Sequence, residues 1–276
     1  MLPNTVKEAK VLITVKAYPK PSGKYEELVC TAGLLNGNDW IRIYPVPFRL
    51  LDDRKKYPKY AWVQLDIERR ADKDFRLESY RPLRGIHEEI KVLDRIGTKN
   101  KWRERKSIIL NNVYYSMEEL ISAAYSTEHI SLATLKPDKI IDAKIERTDD
   151  DWPSKWRERL KQLDLFEVTK FGQRQLIKKV PFDFSYIFLT ADGKRREMKI
   201  EDWEIGALYW KCYYRENENS SKAAELVRKK LINLCQSDLH FFVGTTLQFH
   251  RKRAANPFII IGLFYPPVEM QIELFR

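Results

Sequence analysis

The chain has 276 residues, which is enough for one large domain or two modest ones to bury a proper core without disulfides or metals as staples. Hydrophobic residues make up 43% and charged residues 32%, a balance that excludes wholesale disorder. Fifty Lys and Arg against 39 Asp and Glu leave a net charge of +11, which favours a polyanionic partner such as nucleic acid. The three cysteines are too widely spaced for a disulfide framework or a metal knuckle. No signal peptide or membrane-spanning run is found, so we expect a soluble, cytoplasmic protein without a membrane partner.

Strand patterns dominate the first 95 residues. The predicted strands are 11–15, 28–35, 40–44, 60–70 and the extended segment 75–82. Asn36-Gly37 is a strong signal for a tight turn, so we expect strands 28–35 and 40–44 to form an antiparallel hairpin. We therefore predict an N-terminal antiparallel β-domain over residues 1–95.

The strand that begins at Trp40 has an unusual polar face. Trp40, Arg42 and Tyr44 alternate with two isoleucines, so one face is aliphatic and the other bears an indole, a guanidinium and a phenol. The two prolines that follow end the strand and are expected to hold Phe48 and Arg49 in an extended arm. This arrangement suits phosphates and bases. An edge strand whose aromatic residues pack beneath a neighbouring loop would explain the same pattern.

Helical patterns replace strands in the centre of the chain. The predicted elements are helices at 101–111 and 116–125, short strands at 130–135 and 140–145, and a helix from 152 to about 165. Ser116 and Glu119 form a capping-box pattern at the start of the second helix. We place a mainly helical segment at residues 96–165.

The sequence Lys-Trp-Arg-Glu-Arg occurs twice, at 101–105 and at 155–159, each time near the start of a predicted helix. Two such basic helices could grip phosphates on either side of a duplex. Alternatively, the Glu between two Arg forms local ion pairs on a solvated helix face.

The last hundred residues mix both patterns. The predicted elements are strands at 182–189 and 196–200, helices at 201–214 and 222–234, and strands at 239–249, 257–265 and 270–275. No strand–helix–strand repeat is present, so a doubly wound parallel sheet is excluded. We therefore predict an α+β fold whose third unit, residues 166–276, is an α+β domain with antiparallel strands. One continuous domain is the alternative to these three units.

Several classes of chemistry are excluded by missing motifs. The chain has no phosphate-binding P-loop, no dinucleotide fingerprint and no nucleophile elbow. Its four histidines lack metal-ligand spacing, so we expect neither a metal nor another cofactor. Chemistry that needs only one carboxylate and a pocket remains possible. Cleavage of an N-glycosidic bond by a DNA glycosylase, a base-flipping hydrolase, is of this kind.

Three carboxylates are candidates for this excision of a plain or modified base: Asp202, Glu204 and Glu78. Asp202 could instead cap the helix that begins at Trp203. Glu78 could pair with Arg76 or Arg81 on a surface strand.

Eleven residues are assigned to nucleic-acid binding, with DNA favoured over RNA: Trp40, Arg42, Tyr44, Arg49, Tyr80, Arg81, His240, Thr245, Arg251, Lys252 and Arg253. Gly244 interrupts a strand pattern, which indicates a bulge or the close approach of a ligand, and His240 would then face a pocket beside Thr245. A histidine that is hydrogen-bonded locally explains the same position. The basic run 251–253 is placed between two strands, within reach of a phosphate.

Two other activities remain as alternatives. One is a non-catalytic module that reads modified or structured DNA or RNA through the N-terminal domain. The other is a metal-dependent nuclease that uses Asp183, Glu197 and Lys199 on adjacent strands. A protein-interaction role without nucleic acid is the residual class.

Two sequence blocks resemble an uncharacterised family of prokaryotic proteins. They are residues 40–49 (Trp-Ile-Arg-Ile-Tyr-Pro-Val-Pro-Phe-Arg), and residues 242–245 (Phe-Val-Gly-Thr) together with 259–266 (Ile-Ile-Ile-Gly-Leu-Phe-Tyr-Pro). The resemblance implies no particular activity, cofactor or catalytic residue.

Overall fold

The structure of the protein, a computed structural model, describes residues 2–21, 27–84, 90–154, 158 and 177–269. The N-terminal strands are β1 (Thr5–Lys16), β2 (Lys20–Pro21), β3 (Glu27–Leu35), β4 (Asp39–Val46), β5 (Ala61–Arg69), β6 (Ser79–Pro82) and β7 (Lys91–Arg95). The later strands are β8 (Val113–Tyr114), β9 (Leu132–Leu135), β10 (Lys139–Arg147), β11 (Phe182–Leu189), β12 (Arg195–Lys199), β13 (His240–Thr245) and β14 (Phe258–Phe264). The described helices are α1 (Lys99–Ile109), α2 (Met117–Tyr125), α3 (Trp203–Arg215), α4 (Ser220–Leu234) and α5 (Leu247–Arg251).

The N-terminal strands close into a barrel. β1 pairs with both β3 and β5, β3 pairs with β4, and β6 links β4 to β5. The predicted hairpin of β3 and β4 is confirmed, and the β4–β6 pairing is parallel in an otherwise antiparallel barrel. Because side chains alternate along a strand, every second residue points inward, and Ile13, Ile41, Ile43 and Val63 are among those that fill the interior.

The second half of the chain forms two sheets covered by helices. One sheet has the strand order β10-β11-β12 and the other β14-β13-β9-β8. An isolated bridge between Ile200 and Ile260 joins the two sheets. Helices α2, α3 and α4 bury their apolar faces against these sheets in one core that includes Leu120, Tyr209 and Leu231. The predicted α+β fold class is confirmed.

The outer face of the barrel packs directly on the β14-β13-β9-β8 sheet. Leu12 and Leu34 from the barrel meet Phe242, Ile261 and Phe264 in a shared apolar cluster, each of them buried. We call this contact the seam. The outward face of β4 lies along it, so Trp40, Arg42 and Tyr44 are placed between the two halves of the chain.

Both predicted helix caps are confirmed. The Ser116 hydroxyl accepts a hydrogen bond from the Glu119 backbone N–H at the start of α2, and the Asp202 carboxylate accepts one from the Glu204 N–H at the start of α3. Each cap satisfies a backbone donor that the first helical turn leaves unpaired.

The structure corrects two local predictions. The strand predicted to reach residue 249 ends at Thr245, because the Thr246 hydroxyl caps the short helix α5. The arm after β4 is not extended either: Phe48–Leu50 forms a 3₁₀ turn. Phe48 is buried there, with its ring centroid 4.9 Å from that of Tyr57 and 5.5 Å from that of Trp203.

Some predictions fall outside the described residues: the body of the helix at 152–165, most of the second Lys-Trp-Arg-Glu-Arg copy at 155–159, and the strand at 270–275. The division into units 1–95, 96–165 and 166–276 stays a prediction. Within the described ranges, every helix falls short of the length and apolar character needed to cross a bilayer.

Candidate nucleic-acid interface

A cavity of about 300 Å³ opens at the seam, between the outward face of β4 and strands β13 and β14. We call it the basic cavity because four of its lining residues are cations: Arg42, Arg70, Lys73 and Arg76. Two carboxylates, from Asp74 and Glu201, also line it. The rest of the wall is uncharged: Ala17, Cys30, Tyr44, Gly244, Thr245, Thr246, Leu247, Ile259 and Ile261. The cavity therefore combines a cationic side with an apolar side.

Arg42 reaches this cavity because its neighbours on β4 face the barrel interior. Ile41 and Ile43 are buried inside the barrel, so the alternation of the strand turns Arg42 into the seam, where the residue is only 4% exposed. Its guanidinium donates to the Ser79 hydroxyl at 3.2 Å, the Ser131 hydroxyl at 3.3 Å and the Ser131 carbonyl at 3.4 Å. These bonds to neutral oxygens are all that it makes within the described part of the chain. Burial, and after it the charge of Arg76, lower the pKa of the Arg42 guanidinium.

Arg76 is equally buried but has a counter-charge. Its Nε and Nη2 donate to the two carboxylate oxygens of Asp74 at 2.8 and 2.6 Å, and its Nη1 donates to the Thr245 carbonyl at 2.7 Å. Although burial disfavours its charge, Asp74 has a pKa lowered to about 2 by these bonds. Arg76 and Asp74 therefore neutralise each other. Arg42 makes no direct hydrogen bond to a carboxylate within the described residues, although the charges of Glu78 and Asp74 raise the pKa of its guanidinium and so offset part of the effect of burial.

The rim of the basic cavity adds further positive charge. The Arg70 guanidinium lies 4.9 Å from the centroid of the Tyr44 ring, and Lys73 is exposed. Arg251 donates from Nη2 to the Lys73 carbonyl at 3.1 Å, which brings the predicted basic run to this rim. Lys252 and Arg253 are exposed in the same run.

The histidine beside Thr245 is His250 and not His240. His240 lies at the other end of β13, where its Nδ1 contacts the Asp238 carbonyl oxygen at 2.9 Å, as the local alternative predicted. His250 is buried, its Nε2 lies 2.8 Å from the Ala124 carbonyl oxygen and its Nδ1 lies 3.2 Å from the Thr245 hydroxyl. Because a carbonyl oxygen can only accept, Nε2 carries the proton in the neutral ring, and the Thr245 hydroxyl donates to Nδ1.

A second cavity, of about 230 Å³, lies on the same strand face next to Trp40. We call it the Trp40 cavity. Its polar lining consists of Asn38, Asp39, Glu78, Asn111, Asn112, Tyr114 and Glu128. Its apolar lining consists of Leu2, Leu34, Leu77, Ile108, Ile109, Ile130, Leu132 and Ala133. Trp40 and Arg42 are therefore neighbours on one strand face but belong to two cavities.

Glu78 connects the two cavities. Its carboxylate lines the Trp40 cavity and accepts from the Ser131 N–H at 2.9 Å and from the Ser131 hydroxyl at 2.6 Å. The same hydroxyl accepts from Arg42, so one hydroxyl separates the carboxylate from the guanidinium. The surface ion pairs predicted for Glu78 are not formed. Arg76 binds Asp74, and Arg81 donates to Glu68 at 2.7 Å.

The other two candidate carboxylates lie elsewhere. Asp202 is buried with Lys59, whose ammonium donates to its two oxygens at 2.9 and 2.7 Å, and it also caps α3. Glu204 is half exposed and accepts from the same ammonium at 3.2 Å. Neither residue lines the basic cavity or the Trp40 cavity. Capping and ion pairing explain Asp202 without a catalytic role.

Three more assigned residues lie apart from both cavities. Tyr80 is fully buried in the barrel core and its hydroxyl donates to the Pro3 carbonyl at 2.7 Å, so its ring offers no surface to a nucleic acid. Arg81 lies on the barrel strand β6, and Arg49 lies in the 3₁₀ turn after β4.

The residues of the predicted nuclease motif form separate ion pairs. Lys199 lies 2.8 Å from Asp183, and Glu197 lies 2.9 Å from Lys144. The described ranges contain no group of three or more Asp, Glu, His or Cys side chains that could hold a metal ion.

Sequence reasoning missed Arg70, Lys73, Asp74, Arg76 and Glu201, which the fold brings to the basic cavity. A signal for the first four was present. Residues 68–76 (Glu-Arg-Arg-Ala-Asp-Lys-Asp-Phe-Arg) form a charge-dense connection between two strands, and binding residues concentrate in such loops.

Comparison with known proteins gives two family matches. The sequence model of the family described as Domain of unknown function (DUF8757) matches residues 113–276. The sequence model of a second family, described as Domain of unknown function (DUF8758), matches residues 7–111. The boundary between the two matches falls after α1. A comparison with curated proteins finds no match.

Proposed function

Because the chain belongs to the family described as Domain of unknown function (DUF8757), whose description names no activity, we propose a function from the site itself: the protein binds nucleic acid and holds one unstacked nucleotide in the basic cavity. DNA is the favoured partner. The observation that supports this most is the buried Arg42 guanidinium, which lines a cavity and donates hydrogen bonds only to neutral oxygens in the described chain.

A charge in such a position costs free energy unless a ligand neutralises it. Moving an ion out of water has an effective penalty of several kcal/mol, and hydrogen bonds of 3.2–3.4 Å to neutral oxygens repay little of it. An anionic group in the cavity would supply a direct counter-charge, because the Glu78 carboxylate reaches Arg42 only through the Ser131 hydroxyl. Arginine is well suited to this role, because its planar fork matches the oxygens of a phosphate.

The remaining walls indicate that the ligand is more than a phosphate. Tyr44 provides an aromatic wall, and Ile259, Ile261 and Leu247 provide an apolar one. Bases stack on aromatic side chains with little regard to sequence, at about 1–3 kcal/mol per base. A nucleotide has both the flat ring and the charged group that this cavity accommodates.

The rim supports contact with a longer strand. Arg70, Lys73 and Arg251 lie together at the mouth of the cavity, and the chain has a net charge of +11. Contacts from such residues hold the backbone on either side of an extruded nucleotide. The three cysteines are free thiols, which supports a reducing cytoplasm as the compartment.

Fluorescence anisotropy with labelled single-stranded DNA, duplex DNA and RNA of one sequence tests the proposal. We expect the logarithm of the binding constant for DNA to fall linearly with the logarithm of the salt concentration. Lys73→Gln should reduce the slope by about 0.7–0.9, the contribution of one phosphate contact. Lys229→Gln, on the exposed face of α4, is the matched control and should leave the slope unchanged. Absence of binding to all three nucleic acids at low salt would refute the proposal.

Base excision by a DNA glycosylase is the second candidate function. One observation favours it: the buried Glu78 carboxylate lies on the wall of the Trp40 cavity and is one hydroxyl away from Arg42. A carboxylate in this position would stabilise the oxocarbenium-like sugar while the base occupies the Trp40 cavity. Plain and modified DNA incubated with the protein should then acquire alkali-labile abasic sites, and Glu78→Gln should abolish them. Intact strands across all substrates would leave nucleic-acid binding without catalysis.

A further inference from the structure

The two cavities on the outward face of β4 have opposite electrostatic character. The Trp40 cavity is lined by the carboxylates of Asp39, Glu78 and Glu128, and none of its described lining residues is Lys or Arg. Burial raises the pKa of the Tyr114 hydroxyl in its wall, and the carboxylates of Glu128, Glu119 and Glu78 raise it further, as expected in a negative potential. A phosphate is therefore excluded from the Trp40 cavity. The basic cavity, which Arg42 lines two residues further along β4, can accept a phosphate.

The lining of the Trp40 cavity suits a flat ring. Trp40 is half-buried, and its ring meets Phe242 edge-on at a centroid distance of 5.4 Å, which fixes the plane of the indole. Leu34, Leu132 and Ala133 add apolar surface beside it. An indole face with aliphatic neighbours is a stacking platform for an aromatic ligand.

The polar rim of the cavity is rich in acceptors. Asp39 and Glu128 are exposed carboxylates, and Asn38, Asn111 and Asn112 supply amide oxygens. Ionised carboxylates only accept, so a ligand that contacts them has to present N–H donors, whereas the asparagine amides can both donate and accept. Among bases, cytosine gives its amino group to Asp or Glu, and adenine pairs with the amide of Asn.

We propose that the Trp40 cavity binds an amino-bearing nucleobase, adenine, cytosine or guanine, stacked on Trp40 and held by the carboxylates and amides of its rim. The inference rests on the proposed function in one respect: the base belongs to a strand whose phosphate occupies the basic cavity. Uracil and thymine carry a carbonyl oxygen at the position where cytosine carries its amino group, and this oxygen would meet the carboxylate lone pairs. The cavity therefore selects against them.

Isothermal titration of the full chain with nucleosides, which have no phosphate, isolates this site. We expect adenosine or cytidine to bind at least tenfold more tightly than uridine. Asp39→Asn and Glu128→Gln each remove one charge from an exposed side chain, so both variants should fold normally. The double variant should bind the preferred nucleoside at least fivefold more weakly. Glu225→Gln, an exposed change on α4, is the matched control and should have no effect. Trp40→Leu should remove the binding while circular dichroism reports the native fold.

The outcomes separate the inference from the proposed function. If uridine binds as tightly as adenosine and cytidine, or if no nucleoside binds while oligonucleotides do, the inference is overturned and the proposed function stands. If the protein binds labelled DNA but Asp39→Asn with Glu128→Gln leaves the preference for adenine- and cytosine-containing strands unchanged, the inference also fails. If neither nucleosides nor any nucleic acid bind, both proposals fall.

Discussion

Replacing Arg42 by Gln is the perturbation that distinguishes a ligand-binding arginine from a structural one. Glutamine keeps an N–H donor for the hydroxyls of Ser79 and Ser131 but removes the charge. A hydrogen bond to a charged group contributes about 1.5–3 kcal/mol, so the Kd for DNA should rise about 10- to 150-fold. The Arg42 guanidinium makes no direct ion pair, and the buried Glu78 carboxylate keeps its two hydrogen bonds from Ser131 in the variant, so the free energy of unfolding should change by only about 1 kcal/mol.

The assay pairs anisotropy for DNA affinity with urea denaturation for stability. The matched comparison is Arg76→Gln, the same change at the neighbouring buried arginine. That variant leaves Asp74 buried without its counter-charge, so we expect it to lose about 3–5 kcal/mol of unfolding free energy. An Arg42→Gln variant that binds DNA like the wild type, or that loses as much stability as Arg76→Gln, would refute the assignment of Arg42 to ligand binding.

Two further predictions concern the stability of the seam and its surroundings. Lys59→Met leaves the buried Asp202 carboxylate unpaired and should lower the free energy of unfolding by about 3–5 kcal/mol in urea, whereas a loss below 1 kcal/mol would show that the ion pair has little structural role. Burial lowers the pKa values of His240 and His250, so the unfolded chain takes up protons before the folded one does. The free energy of unfolding that depends on these neutral histidines is therefore fully present above the ordinary histidine pKa of about 6.5. It is lost as the pH falls from that value toward the lower pKa of the folded state, by at most about 1.4 kcal/mol per pH unit for each histidine. Urea denaturation between pH 7.5 and 5.0 measures this loss, His250→Gln should reduce its slope, and a slope that the variant leaves unchanged would contradict the assignment.

Structural features that depend on residues close together in the sequence could be predicted from the sequence. The hairpin of β3 and β4 follows from the Asn36-Gly37 turn, and the caps at Ser116 and Asp202 follow from spacings of two to three residues. The polar face of β4 was also predictable, because strand alternation places Arg42 opposite the isoleucines on either side of it.

Features decided by distant parts of the chain could not be predicted. Closure of the barrel depends on the pairing of β1 with β5, and the split of one strand face into two cavities depends on Ser131, which is 89 residues from Arg42. Lys59 and Asp202 are 143 residues apart, so nothing local indicated that the carboxylate has a buried partner. The strand predicted through residue 249 was wrong for a local reason. Thr246 is an N-cap residue, and the apolar pattern after it concealed the start of α5.

The central claim is that a nucleotide enters the basic cavity, and Cys30 on the wall of that cavity allows this to be measured directly. Cys30 and Cys235 are both partly buried free thiols, and Cys235 lines neither cavity, so it serves as an internal control. We predict that saturating single-stranded DNA slows alkylation of Cys30 by iodoacetamide at least fivefold, as followed by peptide mass spectrometry, and leaves the rate at Cys235 unchanged. Equal alkylation of Cys30 with and without bound DNA would contradict it.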